Sequence, residues 1–308
     1  MAHRRRGVPL HGWLVLDKPP GMTSSRAVAA VRRALDAEKA GHGGTLDPLA
    51  SGVLPIALGE ATKTVAWAMA GRKIYRFALR WGEARDTDDT EGKVTATSPV
   101  RPDAAAIARA LPRFIGDVIQ RPPAFSALKL GGERAYDLAR DGIAVALAPR
   151  PVRIDALRCL GQSDADHAEF EAVVGKGTYV RALGRDLGAA LGTCAHVTAL
   201  RRLSVGPFAI ADAISLDKLA ALGHSARASG HLLPIETALD DIPALALTEA
   251  EAHRLRCGQT VTPLQPSDRA RIDQLGDGAT LCATIGGKLV ALVEVAAGGL
   301  RPVRVLNL

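Results

Sequence analysis

The stretch GHGGTLDPLASGVLPIALGEATK, residues 41–63, sets one carboxylate, Asp47, between a cluster of glycines and a proline. Gly41, Gly43 and Gly44 let the backbone come close to a ligand or take positive φ. Pro48 disfavours helical backbone at the residue before it, so Asp47 is biased toward an extended conformation. Together these residues can hold a carboxylate in a set direction at a cleft. The same pattern also suits a tight turn in which Asp47 only caps a following helix. Spacing alone leaves both readings open.

A second chemical candidate is GKGTYVRALGRDLG, residues 175–188. Two glycines and Lys176 precede Tyr179 and Arg181, which an extended segment would point to the same face. Arg181 can form a planar two-point pair with a carboxylate, and beside Asp47 it would favour that acid's ionised form. The alternative is a strand end with solvated charges. A third candidate, ARDTDDTEG at residues 84–92, offers four acids and two threonines. Its spacing lacks the EF-hand pattern, so a solvated turn is favoured over a cation site or a metal-dependent hydrolase. His42 can either contact a ligand or simply lie exposed in its glycine-rich loop. There is no P-loop, no GxSxG and no HExxH.

The elements that must position these groups belong to an ordinary globular chain of 308 residues, 47% hydrophobic and 23% charged. A formal net charge of +7 favours polyanionic partners. Four scattered cysteines without a CxxC pair argue against a zinc site and a dense disulfide framework, and fit a reducing cytoplasm. The basic start MAHRRRGVPLHG has no apolar run behind it, and no stretch approaches a membrane span.

Local patterns sketch the scaffold. WLVLDKPPGMTS (13–24) reads as a short buried strand and a Pro-Pro-Gly turn, with Ser24 or Ser25 capping the helix SRAVAAVRRALDAEKA, residues 25–40. KIYRFALRWG (73–82) alternates as a strand, with Tyr75, Phe77 and Leu79 on one face. RPDAAAIARALPRFIG (101–116) reads as a helix with Pro102 near its start. The tail from about residue 245 is strand-rich and broken by Gly-Gly turns, which suggests a small all-β module.

Five blocks, LDKPPGMTS (16–24), residues 41–63, RPPAFSALKLGGERAYDLAR (121–140), residues 175–188 and ALRRLSVGPF (199–208), occur in one order. In content, order and spacing the chain resembles the TruB family, the bacterial tRNA pseudouridine-55 synthases. The resemblance implies an α/β (α+β) fold: a catalytic domain with a mixed, mainly antiparallel sheet, plus a small C-terminal β-barrel-like PUA domain. It divides the chain into a basic arm (1–9), a catalytic domain (10–240) with an RNA-clamping insertion (121–150), and a PUA-like RNA-binding domain (245–308).

The implied activity is isomerisation of uridine 55 in the T loop of tRNA by base flipping. Asp47 is then the required acid, Tyr75 stacks on the target base, Arg181 binds the acid, and Asp89 joins the same arginine. His42, Lys18, Tyr179, Lys176 and Leu200 match substrate-contacting positions of the cleft. One departure stands in the acidic loop, where Arg85 replaces a threonine usual in the family. No cofactor and no metal is implied, the partner is the tRNA T stem-loop, and a cytoplasmic monomer is expected. An alternative is an RNA-binding tRNA-folding chaperone in which catalysis is secondary.

Overall fold

A computed structural model describes residues 7–308 except 127, 131, 142, 144, 146, 223–229 and 264. The run WLVL is apolar without alternation because its strand, Gly12–Lys18, is covered on both faces. Leu14 and Leu16 enter one core, with Leu54, Ile56 and Phe77. Trp13 and Val15 enter another, with Val53, Ala57 and Phe208.

That strand belongs to an eleven-stranded sheet. Its main path runs Ile214–Ser215, Gly12–Lys18, Ser51–Leu58, Ala195–Val205, Lys73–Trp81, His167–Val174, Arg150–Gln162, Gly116–Gln120. Gly12–Lys18 pairs in parallel with Ile214–Ser215, and Ser51–Leu58 with Ala195–Val205. Every other step on the path is antiparallel, as expected of a mixed, mainly antiparallel sheet. Helices Ser24–Ala34 and Val180–Ala190 bury Ala27, Val31, Leu183 and Leu187 in the first core.

Near the C-terminus, Ala244–Ala246, Thr280–Ile285, Lys288–Ala296 and Gly299–Val305 form a separate four-stranded sheet. Its order is open, so the expected barrel-like closure is not found among the described residues. Leu281, Ala283, Val293 and Leu300 pack with Leu255 and Ile272 in a core of the module's own. Leu289, Leu292 and Leu306 are buried in the same cluster as Trp13 and Val53. Lys63 also donates to the Val305 carbonyl at 2.8 Å, and Glu60 accepts from the Asn307 N–H at 2.8 Å.

Three local expectations change. Thr23, not Ser24 or Ser25, caps the first helix, which ends at Ala34. The helix expected over 101–116 spans only Ala104–Ala110, because Asp103 caps it late and Pro112 turns the chain into a 3₁₀ segment. Of the expected basic arm, residues 1–6 lie outside the described residues, while Val8 pairs with Ala37. Several positions of the 121–150 segment are also outside the description.

Candidate active site

No helix follows Asp47. Residues 51–58 form a strand, so the helix-capping reading of the acid fails. The second residue of this strand, Gly52, holds φ +102° and is seated against the backbone of Arg202. Gly52 pairs with Lys18 on one side and with Arg202 on the other, and Arg202 pairs in turn with Tyr75. A single register row thus carries Lys18, Gly52, Arg202 and Tyr75 across four strands, and the loop bearing Asp47 enters the strand at that row.

Three side chains hold this loop. Ser24, freed from capping, accepts from the Leu46 N–H and donates to the Leu46 carbonyl, both at 2.9 Å. Lys18 has no exposed surface and donates to the carbonyls of Pro19, Met22 and Pro48 at 2.8, 2.7 and 3.3 Å. Arg202, 1% exposed, donates to Val53, Thr45 and Gly44 carbonyls at 2.7, 3.1 and 3.1 Å. Burial lowers the Lys18 ammonium to about 8, partly opposed by Asp47 and reinforced by Arg202.

The acid itself meets Arg181. The Arg181 Nε donates to Asp47 Oδ2 at 2.8 Å, its Nη1 to the Thr87 carbonyl at 2.9 Å and its Nη2 to the Phe125 carbonyl at 2.8 Å. Asp89 Oδ2 lies 3.6 Å from the same Nε, and Asp89 Oδ1 accepts from the Thr87 hydroxyl and the Glu91 N–H. Arg181 is buried while the Asp47 side chain keeps 30% of its surface open. The carboxylate therefore has a fixed inner partner and a free outer side, as an attacking or proton-transferring group requires. Burial acts most strongly and lowers the Arg181 affinity for its proton, but the Asp47 charge and hydrogen bond with the charges of Asp89 and Asp88 together outweigh it, and the net direction is up.

Arg181 does not lie on an extended segment. Tyr179 is the N-cap of helix Val180–Ala190, and Arg181 sits in its first turn. The backbone N–H and carbonyl of Tyr179 are bracketed by the Gln120 amide at 2.8 and 3.1 Å, and Arg150 lies 5.5 Å from its ring centre. Lys176 is exposed in the preceding turn. Tyr75 is half-buried and packs against the first core, whereas Leu200 is buried within it and pairs with Phe77. His42 is half-buried on Ala40–His42, opposite Ile56.

The acidic loop is not a solvated turn throughout. Asp86 and Glu91 are exposed, but Asp88 and Asp89 are buried because helix Val180–Ala190 supplies Arg181 and Arg185 to meet them. Burial raises the Asp88 carboxyl to about 6 against the pull of Arg185 and Arg181. Burial, with Asp89 and Asp47, also raises Glu91. Arg85 closes its own turn onto the Gly92 carbonyl at 3.0 Å and onto Glu83 at 3.1 Å.

Sequence reasoning missed Ser24, Arg202, Arg185 and Asp88. For Arg202 a signal existed: strand alternation from buried Leu200 points the second arginine of ALRRLSV inward. For Ser24 and Asp88 there was none, because their partners come from distant segments.

Residues 32–180 match the model of the TruB family pseudouridylate synthase N-terminal domain. Residues 181–240 match that of the tRNA pseudouridylate synthase B C-terminal domain. The chain is 56% identical over 308 residues to tRNA pseudouridine synthase B of Rhodospirillum rubrum, covering 100% of both. It is 54% identical over 309 residues to the protein of that name from Caulobacter vibrioides, again covering 100% of both. Among solved structures, a chain of a Cbf5-Nop10-Gar1 complex aligns with TM-score 0.70 at 27% identity, covering 92% of this chain and 78% of that one. A chain of an H/ACA RNP bound to a substrate RNA aligns at 0.71 with 23% identity, covering 100% and 92%, a likeness of fold alone.

Proposed function

Because the chain belongs to the TruB family of pseudouridylate synthases, we propose that it isomerises uridine 55 in the T loop of tRNA to pseudouridine. The observation that carries this reading is the ion pair of buried Arg181 with half-open Asp47 at 2.8 Å.

In this reaction the bond from ribose C1′ to N1 breaks and a bond from C1′ to C5 forms. The C5 proton leaves and N1 gains one, so nothing is consumed and no redox partner is needed. Asp47 is the reacting carboxylate, acting at the sugar, at the base, or in a glycal route. Arg181 aims it through the Nε hydrogen bond, and Asp89 lies against the same Nε at 3.6 Å. Tyr75 stacks on the extruded base and is the candidate group for abstraction of the C5 proton. Extrusion costs a few kcal/mol, and stacking returns about 1–3 kcal/mol.

Lysine and arginine contacts to phosphates supply the remaining affinity. Exposed Lys176 and half-buried Arg150 flank Tyr179 for that task, and His42 borders the loop. Lys18 serves differently. Its ammonium is spent on three carbonyls, so it positions the Asp47 loop instead of meeting RNA. Leu200, buried at 6% exposure, supports the floor under Tyr75. Residues 121–150 clamp the T stem-loop, and residues 245–308 form a PUA-like module touching tRNA farther away. The protein works as a cytoplasmic monomer.

The test is pseudouridine mapping on an unmodified tRNA transcript. Asp47→Asn is expected to abolish conversion and keep RNA affinity within a few-fold. Conversion by that variant, or none by the wild type despite RNA binding, would defeat the assignment. The second outcome would favour a tRNA-folding role.

A further inference from the structure

We propose that Arg185 is a positioning residue for the RNA substrate, tying the start of the 121–150 segment to the acidic loop beside the Asp47 site. The proposal rests on the reading that this segment contacts RNA.

Arg181 and Arg185 stand four residues apart on helix Val180–Ala190 and so share one face, a turn apart. Each guanidinium spans the same two segments. Arg181 joins the Thr87 carbonyl to the Phe125 carbonyl at 2.9 and 2.8 Å. Arg185 joins Asp88 Oδ2 to the Arg121 carbonyl at 2.8 and 2.7 Å. Its Nε also donates to Asp186 Oδ1 at 3.0 Å, which fixes the plane of the fork. The two arginines form a pair of rungs between the acidic loop and the insertion, and only the first rung reaches Asp47.

The loop end of the second rung is anchored. Asp88 holds φ +60°, its carbonyl accepts from the Val197 N–H at 3.0 Å, and Asp89 bridges to Val197 on the main sheet. A continuous path therefore leads from the sheet through Asp88 and Arg185 to Arg121. Beyond Arg121 the segment folds on itself, with the Tyr136 N–H donating to the Ser126 carbonyl at 2.9 Å. The Phe125 and Tyr136 rings meet edge to face at 5.9 Å, and Tyr136 remains 39% exposed. An exposed aromatic on a braced insertion is suited to a nucleic-acid surface.

Stability alone does not account for the pair. Asp88 is buried at a cost that leaves its acidity weakened, and its partner Arg185 stays partly open to solvent, where an ion pair adds little to stability. What it provides is geometry. The forked guanidinium fixes where residue 121 stands relative to the loop that also carries Asp89.

The experiment compares wild type, Arg185→Gln, Arg185→Lys and Asp88→Asn by binding to a fluorescent T-arm RNA hairpin and by turnover on a tRNA transcript. Arg185→Gln is expected to weaken hairpin binding and raise KM about tenfold, with kcat falling less than about threefold. Arg185→Lys keeps a charge for Asp88 but cannot also fork to Arg121, so it keeps the wild-type Tm and shares the raised KM. If Arg185→Gln does not fold, the lysine variant decides. Unchanged hairpin binding and KM in the folded variants would overturn the proposal, as would a fall in kcat at constant KM. Failure of the broader functional reading looks different, since the wild type itself would then leave the transcript unconverted while the binding comparison still reports on Arg185.

Discussion

Gly52 packs so closely on Arg202 that a side-chain carbon at Gly52 would overlap the Arg202 carbonyl oxygen. The glycine also holds φ +102°, which L side chains rarely adopt. Gly52→Ala is therefore expected to cost about 2–4 kcal/mol from strain and backbone overlap together. The strand would shift at the point where the Asp47 loop enters it, so conversion should fall as well. Urea unfolding measures the first effect, and a wild-type midpoint would refute it.

Arg202 reaches three carbonyls on both sides of that loop from a fully buried position. A lysine there keeps the charge but cannot reproduce the planar fork. Arg202→Lys should leave hairpin affinity near wild type and lower kcat about a hundredfold, because a displaced reacting group loses its alignment. Single-turnover rates at saturating enzyme test this. A loss confined to KM would show that Arg202 serves binding instead.

Asp88 gives a signed pH effect. Burial raises its carboxyl from 3.8 to about 6 in the folded protein. Between those values the folded chain keeps a proton that the unfolded chain has lost. The stability contribution is thus complete below pH 3.8 and is lost as pH rises through about 6. Asp88→Asn lacks this slope, so wild type should lose about 2–3 kcal/mol relative to it between pH 4 and 7. Parallel unfolding curves across that range would contradict the assignment. At pH 7 the same variant should bind the T-arm hairpin more weakly, separating stability from function.

Much of the site was legible before any fold was known. The glycines and proline around Asp47 are local backbone signals, and the alternation of residues 73–81 marks a strand by itself. The resemblance of five blocks to one family pointed to Asp47, Tyr75, Arg181 and Asp89, and the structure ties Asp47 and Asp89 to Arg181 and places Tyr75 in the register row beside the loop. Local signals also misled where two residues competed for one task. Thr23, Ser24 and Ser25 are equivalent caps on paper, and packing alone sends Ser24 inward to Leu46.

The sequence by itself determined the alternations and the breaks, and marked Asp47 as a candidate through its glycine and proline context, since these depend on neighbours within a few residues. Tertiary structure decided which charges are buried and what they hold. Asp47 and Arg181 are 134 residues apart in the chain, and Arg202 lies 158 from Gly44. Whether a lysine such as Lys18 meets solvent or three carbonyls depends on which strands close over it. That depends on sheet order and register, which contacts between distant segments set.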